Sequence, residues 1–170
     1  MARGYRRGMT ARRRIATITG LVLFGALALY GMALADHGGP LHSLFNSRGT
    51  IGPFQIHDHG SHVKLKAGEP VDVAIVGAQL VPAGETGWHT HPAESIVSVQ
   101  PGGPALQMVT ERRGRCRERT FAAGQAFVHP AGPHNFVNTD TEKPLTFGVA
   151  YFVPVGASLL TPATAPKGCR

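Results

Sequence analysis

From residue 62 onward apolar and polar positions alternate with a period of two, the pattern of half-buried strands. Val63 and Leu65 alternate with Lys64 and Lys66, and Gly68-Glu69-Pro70 then turns the chain. The run 71–81 is β-branched and apolar and is closed by Pro82-Ala83-Gly84. Ile96, Val97 and Val99 predict another strand, ended by Pro101-Gly102-Gly103-Pro104. Residues 105–110 and 118–121 predict two arms of a hairpin, and 126–128, 136–138 and 145–155 complete the set. No segment after residue 35 sustains a helical period. About eight short, regularly spaced strands predict an all-β sandwich or barrel, and a barrel of that size has an interior just large enough for a small ligand.

The flanks read differently. Residues 36–61 are rich in Gly, Pro, His, Ser and Asn and predict a poorly ordered lead-in with at most a short strand near 52–56. Residues 156–170, with Pro162 and Pro166, predict an extended tail on the surface, leaving 62–155 as the barrel. Residues 1–35 hold six arginines and no acidic residue, then an apolar run 15–35 that ends in Ala33-Leu34-Ala35 before Asp36. A basic start, an apolar middle and an Ala-x-Ala exit predict a cleaved signal peptide, with a mature chain starting at Asp36. The run is also long enough for a membrane anchor. Either route places the domain outside the cytoplasm, as a periplasmic, extracellular or outward-facing anchored protein, with membrane contact only through 15–35 if that segment is retained.

This changes the charge picture. The whole chain carries +7, but without its first 35 residues it has 11 basic and 10 acidic residues. The high pI of the full chain is therefore no sign of a nucleic-acid partner. Arg112, Arg113, Arg115, Arg117 and Arg119 form one local cluster, read as a solvated hairpin end, with an anion or lipid-headgroup site as the second reading. The two cysteines, Cys116 and Cys169, both lie in the part expected to be exported, which predicts a disulfide.

The candidate chemistry lies in two segments. In Gly84-Glu-Thr-Gly-Trp-His89-Thr-His91-Pro-Ala-Glu94, the two histidines share strand parity and can face one ion, while Trp88 and Thr90 face away. In Gly124-Gln-Ala-Phe-Val-His129-Pro130-Ala-Gly132-Pro-His134-Asn-Phe-Val-Asn138, a tight turn delivers His134 to the start of the next strand. A third imidazole from a separate strand suits a site with open coordination positions.

Together the segments resemble the two motifs of the cupin superfamily, as found in small single-domain bacterial cupins. Gly84, His89, His91 and Gly102 match the first motif; Gly124, Pro130, Gly132, His134 and Asn138 match the second. The resemblance covers about residues 62–155. It implies a single double-stranded, jelly-roll β-barrel holding one divalent transition metal (Mn, Fe, Ni or Zn) on His89, His91 and His134, with Glu94 or water completing the shell. Glu94 follows His91 by three residues, where the family's glutamate follows by four or five, and counting back from Gly102 puts that position on Ser95. A one-residue offset reverses the face of a strand, so Glu94 reaches the ion only if Pro92-Ala93 bulges.

The remaining histidines have plainer readings. His57, His59 and His62 form a solvated polar stretch, with a second metal site as the alternative. His129 shares parity with Phe127 and lines the barrel mouth or faces solvent, while Phe127, Phe136, Phe147 and Phe152 are expected in the core. Near the two motifs, Glu94 is the only acidic candidate for a general base, with no Tyr or Lys beside it. Two functions stay open: a metal-dependent enzyme acting on a small molecule by dioxygenase-like or Lewis-acid chemistry, or a non-catalytic extracytoplasmic domain binding a small molecule or metal. Whether the site is catalytic, and which small molecule it takes, stay open, and a homodimer is compatible with both readings.

Overall fold

A computed structural model describes residues 40–169, so the predicted signal segment 1–35 lies outside the described residues. The chain runs through β1 (Leu41–Ile51), β2 (Phe54–His57), β3 (Lys64–Ala67), β4 (Val71–Leu80), β5 (His89–Thr90) and β6 (Ser95–Val99). It continues through β7 (Leu106–Arg112), β8 (Arg115–Phe121), β9 (Ala126–His129), β10 (His134–Asn138), β11 (Leu145–Pro154) and β12 (Thr161–Pro162). Two five-stranded antiparallel sheets result, ordered β1-β4-β11-β6-β9 and β12-β5-β10-β7-β8, beside a separate β2-β3 ribbon. The fold is all-β, as the period-two pattern predicts: a single barrel with its core between the two sheets.

Side-chain alternation builds that core. Along β11, Leu145, Phe147, Val149, Tyr151 and Val153 are buried, and the residues between them are not. Their register on β4 sets Phe147 beside Ala78 and Tyr151 beside Ala74, so each of the two aromatic side chains meets a small one. From the other sheet Leu106, Met108, Phe121 and Phe136 close the interior. Phe147 and Phe136 lie in the core as expected; Phe127 packs against its edge and stacks on Phe121 with ring centroids 3.6 Å apart. Phe152 is half-buried, with its ring 6.3 Å from that of Phe54.

Two expectations are corrected. Within the described residues 40–61 the lead-in is not poorly ordered: β1 pairs with β4 from Leu41↔Leu80 to Ile51↔Val71, with one irregularity between Ser43 and Phe45. It lacks an alternating signal because it is an edge strand, mostly exposed, held by backbone pairing and by polar side chains. Arg48 Nε donates to Asp72 Oδ2 at 2.7 Å and Thr50 Oγ1 donates to Asp72 Oδ1 at 2.5 Å. These bonds, with that from the Gly156 amide, hold the Asp72 carboxyl down at about 2, Thr50 contributing most. The arginine cluster is an exposed hairpin end, as expected, with Arg115, Arg117 and Arg119 carried on β8. Arg112 pairs with Arg115, and only Arg113 and Gly114 turn, both at positive φ. Last, the tail is not merely a surface strand. β12 pairs with β5, Leu159 is buried, and Cys169 is bonded to Cys116 as predicted.

Candidate metal centre

His89 on β5 and His134 on β10 are register partners, and His91 follows two residues after His89 on the same side. All three are buried, and one ligand nitrogen from each lies within 4.8 Å of the other two. The turn Pro130–Pro133 is fastened to the first motif by the His91 amide, which donates to the Ala131 carbonyl at 3.0 Å. The two motifs, distant in sequence, are thus locked into one site by backbone contacts.

The hydrogen bonds fix the direction of every ring. A carbonyl only accepts, so each imidazole nitrogen bonded to one must carry its proton. Nδ1 of His89 donates to the Gly87 carbonyl at 2.8 Å, and Nδ1 of His134 donates to the Gly132 carbonyl at 2.7 Å. Nδ1 of His91 donates to the Leu159 carbonyl, supplied by the tail. Burial lowers the basicity of all three: His89 falls to about 4, His134 to about 3, and His91 moves in the same direction. The rings are therefore neutral near pH 7, each with a bare Nε2. The Nε2 atoms of His89 and His134 lie 2.8 Å apart, so two lone pairs face each other with no proton between them. A cation satisfies that arrangement, and neutral imidazoles with Nδ1–H held by outer partners are the usual form of metal-ligating histidine. The donor set fits a divalent transition metal.

Two further residues face the same space. His129 is completely buried, not at the mouth or in solvent as expected. Its ring lies 4.0 Å from that of His134 and 4.8 Å from that of His91. Its Nδ1 lies 2.9 Å from Ser95 Oγ, and its Nε2 is buried without a partner. Desolvation, with the neighbouring histidines, lowers its pKa as well. Tyr151, on β11, places its ring 5.3 Å from His91, so a tyrosine does stand near the motifs. Sequence reading missed it because it lies far along the chain; its parity with Phe147 and Val149 was the available signal.

Glu94 is exposed, at the rim of a surface groove, and the structure does not bring it to the three histidines. Ser95 takes the inward position because β6 alternates strictly: Ser95, Val97 and Val99 are buried, Ile96 and Ser98 exposed. No bulge turns Glu94 inward; Ser95 pairs with His129 and Ile96 with Val128 in regular register. The His57–His62 stretch lies apart from the centre, at the end of the β2-β3 ribbon and in the turn beyond it, where the His57 and His59 rings are 4.6 Å apart. Beside the centre, a cavity of about 40 Å³ is lined by His89, His91, His129, Phe136, Val149 and Tyr151, with Leu41, Ser43 and Leu160 among its other walls.

No protein-family model matches the chain, and no curated protein matches it. Among solved structures it is similar to a cupin domain from Bordetella pertussis, at 22% identity over 61% of this chain and 93% of that one, with a TM-score of 0.40. It is also similar to a recombinant oxalate oxidase in complex with glycolate, at 21% identity over 53% of this chain and 45% of that one, TM-score 0.42. A third is the formate complex of Lactobacillus farciminis oxalate decarboxylase, at 24% identity over 53% of this chain and 26% of that one, TM-score 0.44. The chain thus spans less than half the length of either oxalate enzyme. At these scores the likeness adds nothing to the strand order and histidine geometry described above.

Proposed function

We propose that this is an exported metalloprotein that holds one divalent transition metal (Mn, Fe, Ni or Zn) on Nε2 of His89, His91 and His134, and acts on a small molecule bound there. The observation that carries the reading is the set of Nδ1–H bonds to the Gly87, Leu159 and Gly132 carbonyls, which aims three bare nitrogens at one point. Glu94 is not needed in this scheme. The remaining coordination positions are left to water or ligand, with His129 beside them. A bound metal with open positions polarises an oxygen ligand or, if redox-active, takes up O₂. Export is supported by the basic-apolar-Ala-x-Ala start and is consistent with the Cys116–Cys169 bond.

A second reading, a non-catalytic metal-binding domain outside the cytoplasm, is favoured by the cavity beside the histidines. At about 40 Å³ it is far smaller than the roughly 300–1,000 Å³ of usual small-molecule sites. Elemental analysis of purified wild type, His91→Ala and His134→Ala tests the metal site. Wild type should carry one metal per chain and the variants little; metal-free wild type after refolding with all four ions present defeats the proposal. The response of the metal's spectrum to O₂ separates the two readings. N-terminal sequencing of the exported fraction should begin at Asp36, and a start at Met1 in membranes means an anchor.

A further inference from the structure

The open edges of the two sheets, β8 and β9, border a groove of about 1110 Å³. Its walls include Met108, Thr110, Val128, Pro130 and the whole arginine cluster. The strand register explains how arginines come to line it. Directly opposed residues of an antiparallel pair share a face. Leu106 opposes Phe121, both in the core; Met108 opposes Arg119, and Thr110 opposes Arg117. Arg115, Arg117 and Arg119 therefore continue the inward face of β8, while Cys116 lies on the other face, where it is bonded to Cys169. His134 opposes Thr110, which opposes Arg117, so Arg117 lies two strands from a proposed metal ligand, on the order of 10 Å at usual strand spacing.

The groove keeps a net positive charge, with five arginines against Glu94, Glu111 and Glu118. Among the described residues, none of the five arginines is ion-paired with a carboxylate. Arg119 packs its guanidinium 5.0 Å from the centre of the Phe121 ring. Two of the groove's glutamates are engaged otherwise: Glu111 accepts from the Gly114 amide in the turn, and Glu118 accepts from Gln107 Nε2 at 3.1 Å. Guanidinium groups side by side on one strand face, next to the buried Met108, suit bidentate capture of oxyanions. Pairing of β8 with β8 of a second copy would set two arginine rows against each other, which disfavours a dimer along this edge.

We propose that the β8–β9 groove binds a small soluble polyanion through Arg115, Arg117 and Arg119, its carboxylate or phosphate oxygens taken by the guanidinium forks. The site is independent of the metal and does not need it to be filled. Calorimetric titration of the chain at low ionic strength with succinate and with inorganic phosphate tests it and tells the two oxyanion types apart. At least one probe should bind saturably. Arg117→Gln/Arg119→Gln should weaken that binding about tenfold or more while the circular dichroism stays unchanged. Lys66→Gln, on β3, should retain it, as should wild type stripped of metal with a chelator. A parallel arm uses phosphatidylglycerol vesicles. Absence of saturable binding by both probes, equal binding by the arginine double variant, or binding to vesicles alone would overturn the proposal.

Discussion

The ring of His91 is held by the carbonyl of Leu159, a residue 68 positions further along the chain. The bond makes the tail part of the metal centre. Leu159 is buried against the core, Thr161 and Pro162 pair with Thr90 and His89, and the Ala163 amide donates to the Trp88 carbonyl at 2.8 Å. The Cys116–Cys169 bond secures the far end of the same segment to β8. A stretch that looks like a surface tail thus sets the orientation of one of the three inward nitrogens.

Loss of the disulfide should therefore weaken metal binding although neither cysteine is a proposed ligand. Cys116→Ser/Cys169→Ser removes a cross-link across 53 residues, for which chain entropy allows a loss of stability of up to about 4 kcal/mol. Chelator competition on the double variant should show weaker metal retention than wild type, with the stoichiometry recoverable at excess metal. Equal retention would show that the tail keeps its place without the bond.

Glu94→Gln should leave metal content and affinity unchanged, because the carboxylate sits on the outer side of the strand whose inner position is Ser95. The paired change Ser95→Ala/His129→Phe probes the other side. His129 Nε2 is buried without a partner, a state that costs about 1–3 kcal/mol, and replacing both hydrogen-bonded partners by apolar groups removes it. Thermal melting of the metal-free double variant should match or exceed that of wild type, while anion binding to the metal-loaded form, followed with azide and a cobalt spectrum, should weaken. A lower melting temperature together with unaltered azide binding would make His129 a structural residue.

The inner strands were legible because alternation reports burial directly; His89 and His91 followed from parity, and Ser95 from counting back to the motif position from Gly102. What escaped lacked that signal. β1 is polar and exposed, so its ten-position pairing with β4 leaves no pattern in Ser43, Asn46, Ser47 or Gly49. The Leu159 carbonyl is a backbone group, which any sequence could present. His129 had the right parity, but whether it faced the site or solvent depended on how β9 closes against β6. The arginines show a partial case: charge argued correctly for solvent, and all five are exposed, but only the register with Met108 and Thr110 shows that Arg117 and Arg119 share the face that lower down becomes the core.

Asp72→Asn should loosen β1 before the rest of the barrel. The carboxylate accepts from Arg48, Thr50 and the Gly156 amide, so it ties β1 and the start of the tail to β4. Limited proteolysis should cut the variant within 41–51 at protease concentrations that leave wild type intact, and its melting temperature should fall. Cleavage confined to the β2-β3 turn in both proteins would place the weak point elsewhere.

Acid should destabilise the metal-free protein in a pH window set by the histidines. In the unfolded chain each imidazole titrates at its ordinary 6.5; in the folded barrel His89 titrates at about 4 and His134 at about 3, because burial disfavours the charged form. Below pH 6.5 the unfolded chain binds more protons than the folded one, so stability falls as pH falls. The contribution is fully present above 6.5 and is lost progressively as pH drops toward 4 and then 3. Each unit of such a shift corresponds to about 1.4 kcal/mol, so the cluster is expected to lower stability by a few kcal/mol over this window. Asp72 has the same sign but acts lower: its stabilisation is complete above about 4 and disappears as pH falls through about 2. The slope between pH 6.5 and 4 therefore belongs mainly to the histidines, and Ser95→Ala/His129→Phe should flatten it while Asp72→Asn should not. Urea unfolding midpoints of chelator-treated protein from pH 8 to pH 4 provide the measurement. A midpoint that stays level from pH 7 to pH 5 would mean that the imidazoles are hydrated in solution and that the barrel interior is open to water.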